Sequence, residues 1–210
     1  MAGGTKRLPR AVREQQMLDA AVTVFAEKGF RETSMDAIAA AADISKPMLY
    51  LYYGSKDELF AACLSREGGR FIEAMTTGFD PRLRQRDQAR TVIYEFLRFV
   101  DANRASWRVL YRVATGQAAF IALVDASRSR LIEMIADLLR RGTTVDGATD
   151  IDFELMAVAL VGAGEAVADR ISEGDIDLDT AADLMVSMGW RGLAGGARMM
   201  SDHASGVAKS

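Results

Sequence analysis

The chain has 210 residues, half of them hydrophobic, and a formal net charge of −3 at pH 7. This length accommodates one large or two small domains, and the presence of only three prolines permits a largely helical core. The single cysteine, Cys63, excludes an intramolecular disulfide. We find neither a signal peptide at the N-terminus nor a run of about 18 apolar residues, so we expect a soluble, cytoplasmic protein.

Charge is distributed unevenly along the chain. The N-terminal arm, residues 1–13, has no acidic residue and four basic ones: Lys6, Arg7, Arg10 and Arg13. Residues 145–183 are rich in Asp and Glu and contain one basic residue, Arg170. Such polarity would hold the basic end near DNA phosphates and the acidic end away from them. The alternative is a solvated arm without a partner.

The first part of the chain predicts three helices before residue 53. The first covers about residues 12–28 and ends at Gly29, a residue typical of helix ends. Two short helices follow, over about residues 34–41 and 45–52, joined by a tight turn at Asp43. Asp tolerates the left-handed backbone that such a turn needs. The pattern is that of a helix-turn-helix, whose second helix enters a DNA major groove.

Side chains suited to capping stand at the start of each short helix and of the helix that follows them. Ser34 and Ser45 are predicted N-caps, because a serine oxygen can accept a free N–H of the first turn. Ser55 and Glu58 form an S-x-x-E capping box.

Spacing also predicts which residues of the short helices face inward. Ile38 and Ala41, three residues apart, should share an inward face, and Leu49 should anchor the second short helix in the core.

The remaining chain also predicts helices. One begins at Lys56 and runs to about residue 76, with an interruption predicted at Gly68 and Gly69 because glycine weakens helices. No alternating pattern typical of strands competes, so the predicted fold is all-α. The later helices are predicted over residues 88–102, 104–115, 118–141, 152–173 and 180–200.

From Phe25 to Phe60 the sequence resembles the DNA-binding domain of TetR-type transcriptional repressors. The motifs are A-x-x-x-F-x-x-x-G-F from Ala21, then T-S-x-x-x-I-A, then S-K-P-x-L-Y-x-Y-Y-x-S-K-x-E-L-F. One departure is Asp43, where the family usually carries Gly. The resemblance implies a DNA-binding domain over residues 1–66 and a helical effector-binding and dimerisation domain over 67–203. We expect residues 204–210 to be a frayed tail.

The predicted DNA contacts divide into base readers and phosphate donors. Lys46 can donate to guanine O6 or N7, and Pro47 and Met48 can pack on a thymine methyl group. For Lys46 a phosphate contact is an equal alternative. By resemblance, Tyr50 and Lys56 match backbone-clamping positions of the family, and Tyr53 matches a structural aromatic residue. The predicted residues other than the base readers are Thr33, Ser34, Ser45, Tyr50, Tyr52 and Lys56.

The last two long helices are predicted to pack closely, because glycine and alanine recur in both at helical spacing. The resemblance implies that they form a four-helix dimer bundle, and the alternative is packing within one subunit. A two-fold dimer would place its recognition helices about 34 Å apart, so the operator should be a near-palindrome.

The resemblance also implies a small effector bound among the central helices, whose many apolar residues favour an apolar molecule. Polar and aromatic residues there are the candidate contacts, since a buried polar group needs a partner. For each, core packing or an ordinary hydrogen bond is the alternative. The candidates are Tyr94, Trp107, Arg108, Tyr111, Arg112, Gln117, Phe120 and Glu165.

Other classes of function have less support in the sequence. The only histidine, His203, lies near the C-terminus, and there is no Cys/His cluster for a metal and no G-x-x-x-x-G-K-[ST] loop. We therefore expect no catalysis, no metal and no cofactor. A helical adaptor without specific DNA binding is the alternative to the expected function, which is a dimeric, ligand-responsive repressor.

Overall fold

The computed structural model describes residues 9–77, 80, 82–142, 149–174 and 176–189. These ranges contain helices and no strand, which confirms the predicted all-α fold. The predictions for residues 1–8, for residues 190–203 and for the tail 204–210 concern residues outside these ranges. The helices are α1 (Arg10–Glu32), α2 (Met35–Ala41), α3 (Lys46–Tyr52), α4 (Lys56–Thr77), α5 (Gln85–Ala102), α6 (Arg104–Arg108, continued by a π-helical turn over Val109–Val113), α7 (Ala118–Gly142), α8 (Asp150–Glu173) and α9 (178–189).

The chain forms two compact units that are not continuous in sequence. Unit 1 combines the residues up to Arg70 with Ala105–Val124, and unit 2 combines Phe71–Arg104 with the residues from Asp125 onward. Ala105–Val124 joins unit 1 because Val109, Ala114 and Phe120 are buried in the same hydrophobic core as α1 to α4. The predicted division after residue 66 concerns function and stays a prediction.

The turns around α2 and α3 form as predicted from local sequence. The Ser34 hydroxyl oxygen accepts the N–H of Ala37 at 3.1 Å, and the Ser45 oxygen accepts that of Met48 at 3.4 Å. Asp43 has a φ of 51°, the left-handed backbone that the turn between the helices requires. Gly29 has φ 76° and ψ 171°, so the regular part of α1 ends there.

Three local predictions were wrong. Ala41, predicted to face inward with Ile38, is exposed. Ala39 and Ala42 are the alanines buried with Ile38, so the inward face of α2 is shifted by one residue from the predicted one. The Glu58 carboxylate accepts the N–H of Gly54 at 3.0 Å instead of that of Ser55, so only the serine half of the predicted capping box forms.

The third wrong prediction concerns α4. This helix continues without interruption through Gly68 and Gly69, since a helix built on neighbouring packed residues tolerates the cost of two glycines.

Four phenylalanine rings form the centre of unit 1. The ring centroid of Phe60 of α4 lies 4.8 Å from that of Phe25, 5.0 Å from that of Phe30 and 4.8 Å from that of Phe120. All three pairs are edge to face. Edge-to-face pairs add about 0.5–1.5 kcal/mol each beyond the burial of their area. This cluster therefore fixes α1, α4 and the start of α7 against one another.

A polar network joins α4 to α1 on another side of unit 1. Glu67 is fully buried, and its carboxylate accepts hydrogen bonds from Arg66 Nε at 2.7 Å and Arg70 Nη1 at 2.8 Å. Arg66 Nη1 also donates to Asp19 of α1 at 2.7 Å and to the side-chain oxygen of Gln15 at 3.1 Å. A buried carboxylate needs such partners, since an unpaired buried charge is strongly destabilising.

Unit 2 is organised around the packing of α5 on α8. A Cβ atom at Gly164 of α8 would stand 3.4 Å from the ring of Phe96, at ordinary van der Waals distance, so α5 and α8 are in contact here. Phe71 contacts Phe96 and Phe99 edge to face, at centroid distances of 5.8 and 5.6 Å. A capping box between Thr149 and Asp152, which the sequence analysis missed, starts α8 two residues before the predicted position.

Two glycine substitutions test this account of the backbone. Gly29→Ala should lower the free energy of unfolding by about 1–3 kcal/mol, because only glycine adopts its backbone angles without strain. Gly69→Ala is the matched control, and should raise that free energy by about 0.5–1 kcal/mol, because it lies in a regular helix with open space around its Cα. Urea denaturation measures both, and equal effects of the two substitutions would contradict the assignment.

Candidate nucleic-acid interface

Helix α3 presents one face to the core and the other to solvent. Leu49 is 0% exposed and anchors the helix, and Met48 and Tyr52 are half-buried against the same core. The solvent side, here called the exposed face of α3, consists of Lys46, Pro47, Tyr50 and Leu51. Met48, a predicted base reader, thus packs against the protein, and Leu51, which the sequence analysis did not select, takes an outward position.

Lys46 is oriented by an ion pair with α2. Its Nζ donates to Asp36 Oδ2 at 2.8 Å, with both side chains largely exposed. The hydrogen bond from Lys46 to Asp36 raises the pKa of the lysine above its ordinary value, so the ammonium stays charged. An exposed pair of this kind contributes little to stability. Asp36 therefore holds the lysine in place at the protein surface without burying its charge.

Lys56 is bound to main-chain carbonyl groups of its own unit. Its Nζ donates to the carbonyl oxygens of Phe30 at 2.9 Å, Thr33 at 2.9 Å and Arg31 at 3.4 Å, and lies 4.5 Å from the Phe30 ring centroid. An ammonium group has three N–H donors, and these contacts account for all of them. Lys56 thus fixes the end of α1 and the segment that leads into α2, and its phosphate contact stays a prediction.

Thr33 is also committed to the fold. Its side chain is 2% exposed, and its hydroxyl donates to the carbonyl oxygen of Gly29 at 2.6 Å. Its hydroxyl therefore has a partner within the fold, and its phosphate contact stays a prediction. Ser34 and Ser45 are exposed at the N-termini of α2 and α3, where their hydroxyl oxygens accept helix N–H groups. Their phosphate contacts stay predictions.

The two tyrosines of α3 have different surroundings. Tyr50 is exposed on the outer face, which leaves its phosphate contact a prediction. Tyr52 packs against the core, and the guanidinium carbon of Arg10 lies 5.4 Å from its ring centroid. Tyr53 is buried, as its prediction as a structural aromatic residue requires, and burial raises its pKa to about 12. Of the basic arm, Lys6 and Arg7 lie outside the described residues.

The predicted effector contacts do not come together in one unit. Tyr94 and Glu165 belong to unit 2, and the other six candidates belong to unit 1. Phe120 is part of the phenylalanine cluster, and its effector contact stays a prediction. Trp107 is buried and stacks on Tyr111 at a centroid distance of 3.8 Å. Glu165 accepts from Arg128 Nε at 2.9 Å. Arg108 and Arg112 are exposed, and Gln117 is half-buried.

Among the residues that the structure describes, no group of three or more His, Cys, Asp or Glu side chains could hold a metal ion. No single helix in the described ranges is long and apolar enough to cross a membrane. The bent pair Arg104–Val113 and Ala118–Arg141 reaches that length and apolar composition only when its two helices are taken together.

Comparison with known proteins agrees with the helix-turn-helix geometry. Residues 17–63 match the family model for bacterial regulatory proteins of the tetR family, and residues 85–192 match that for the tetracyclin repressor-like C-terminal domain. The chain belongs to the TetR family. It is therefore related to DNA-binding transcriptional regulators with a helix-turn-helix, and the family and its named relatives are not enzymes.

Three relatives in the TetR family illustrate the range of similarity. A TetR-like transcriptional regulator from Rhodococcus sp. RHA1 has a crystal structure that is 63% identical, with a TM-score of 0.80, covering 90% of this chain and 100% of that one. The HTH-type transcriptional activator FasR of Mycolicibacterium smegmatis is 29% identical over 92% of this chain and 90% of its own. The HTH-type transcriptional repressor SCO4008 of Streptomyces coelicolor is 29% identical over 80% of this chain and 92% of its own.

The role of Lys56 can be separated from a phosphate contact by substitution. Lys56→Ala should lower the free energy of unfolding by about 2 kcal/mol, because charged hydrogen bonds to three carbonyl groups are lost. The salt dependence of binding to a nonspecific duplex should not change. A lysine that neutralises a phosphate would instead reduce that slope by about 0.9. Lys28→Ala, at an exposed position of α1, is the control for stability.

The ion pair at Lys46 gives a second test. Asp36→Asn removes a negative charge from the surface beside α3 and releases Lys46, so affinity for a nonspecific duplex should rise by about threefold at low salt. Glu27→Gln removes an equal charge from an exposed position of α1 and serves as the control. Fluorescence anisotropy measures both variants, and equal affinities for the two would show that the position of Asp36 has no special effect.

Proposed function

We propose that the protein is a dimeric, effector-responsive repressor that binds a near-palindromic operator through α3. The exposed face of α3 carries this proposal. A seven-residue helix is marginal in water by itself, yet α3 is capped by Ser45 and anchored by Leu49, while its outer side chains face solvent. That combination suits a helix held rigidly for insertion into a major groove.

The dimer is supported by apolar side chains that the single chain leaves exposed. On α8 these are Leu155 and Val158, and on α9 they are Leu184 and Met188. Gly189 of α9 lies beside Leu160 of α8, since a Cβ atom there would be 3.5 Å from Leu160 Cδ2, an ordinary van der Waals contact. Exposed apolar area on two closely packed helices is typical of a surface that meets a partner. We assign this surface to a second copy of the chain, which would bring two α3 helices onto one operator.

We place the effector site in unit 2, where Tyr94 and Glu165 are the predicted contacts, and the candidates in unit 1 stay predictions. The ion pair of Glu165 with Arg128 is a half-buried polar contact between α7 and α8. A small, largely apolar molecule suits the phenylalanine-rich packing of α5 and α8. We assign repression as the effect of the protein on transcription. One relative is named a repressor and another an activator, so a transcription assay decides between the two effects.

A selection from a random duplex library tests the proposed function. Wild-type protein should enrich a near-palindromic sequence, with a salt-dependent affinity at least about a thousandfold above that for scrambled DNA. Lys46→Ala should reduce this preference, while Lys28→Ala, far along the chain from α3, should leave it unchanged.

Sedimentation should show a dimer that Leu184→Lys dissociates. Failure to enrich any sequence would support the helical adaptor instead.

A further inference from the structure

Leu51 is unusual among the apolar side chains of this protein. It is 78% exposed, more than any other large hydrophobic side chain that the structure describes. It lies within α3, between Tyr50 and Tyr52, in a helix whose anchoring is already provided by Leu49. The fold therefore has no packing use for Leu51, and its free side chain is available to a partner of this surface.

Helix geometry places Leu51 on the side of α3 opposite Leu49. Successive residues are about 100° apart, so Leu51 points about 200° away from the inward-facing Leu49. Pro47 precedes it by four residues and is also exposed, so the two lie on the same side of the helix. They form a short apolar strip, with Lys46 and Tyr50 beside it.

We propose that Leu51, supported by Pro47, reads the C5-methyl group of a thymine in the major groove. This inference rests on the proposed DNA-binding function. Along a major groove the phosphates and most base-edge atoms are polar, and the thymine methyl group is the feature that an aliphatic side chain can bury. Met48 is half-buried against the core of unit 1, so it has less free side chain to offer than Leu51.

The assignment also predicts how the neighbouring contacts divide. Lys46 supplies charge for a guanine edge or a phosphate, and Tyr50 has a hydroxyl for the backbone, so neither discriminates thymine from uracil. Leu51 does, because uracil differs from thymine only by the missing methyl group. Each half-site of the operator should therefore contain a thymine at one fixed distance from the dyad, opposite Leu51.

The test combines base analogues with a side-chain truncation. Each thymine of the selected operator is replaced in turn by deoxyuridine, and the dissociation constant is measured for wild type and Leu51→Ala. For the wild type, replacing one particular thymine of a half-site should lower the operator affinity about fourfold, the Boltzmann factor for one buried methyl group. Replacing it in both half-sites should lower the affinity about fifteenfold. For Leu51→Ala the same replacements should leave the affinity unchanged, and no other thymine should become sensitive.

Two controls keep the result interpretable. Leu83→Ala truncates a leucine that is 41% exposed outside α3, and should retain the wild-type response to deoxyuridine. Met48→Ala should lower thermal stability but keep the methyl dependence. Wild-type protein that binds the operator equally well with and without every methyl group overturns the role of Leu51 while leaving the proposed function intact. Absence of sequence-specific binding by the wild type overturns the proposed function itself.

Discussion

The edge-to-face contacts of Phe60 are the interaction on which the rest of unit 1 depends. Its ring touches Phe25 and Phe30 from α1 and Phe120 from α7, so one side chain joins three segments that are far apart in sequence. Once α1 and α4 are fixed, α2 and α3 dock against them through buried side chains that include Ile38 and Leu49. This explains how a seven-residue helix that would melt by itself can hold a defined orientation.

Lys56 extends the same arrangement to the entry of α2. The carbonyl groups at the end of a helix carry partial negative charge, and an ammonium group placed among them satisfies both the hydrogen-bonding and the electrostatic requirement. Because its Nζ binds carbonyl groups before and after α1 ends, it connects Phe30 to Thr33 across the segment that follows Gly29. In this structure the lysine that resembles a phosphate clamp also fixes the segment that leads into α2.

Predictions from the sequence succeeded where the deciding atoms are near in sequence. The Ser34 and Ser45 caps and the positive φ of Asp43 involve partners within a few residues, and all three were predictable. The roles of Lys56 and Phe120 were not, because their partners are 23 to 26 and 60 or more residues away. Only the tertiary fold brings such groups together. Leu51 could have been found earlier, since a helical wheel of α3 with Leu49 inward already places it outward.

The charge balance of the DNA-binding region explains why an apolar contact matters for this protein. Residues 1–65 contain eight basic and eight acidic residues, and Lys46 of the exposed face is itself paired with Asp36. Sequence-independent binding depends on the number of phosphates that free cations neutralise, so we expect it to be weak here. A leucine adds affinity only where a thymine methyl group lies opposite, and it adds none on other sequences. Specificity is the ratio of the affinity for the operator to the affinity for other DNA. Few free cations lower the second affinity and the exposed leucine raises the first, so both features increase the ratio.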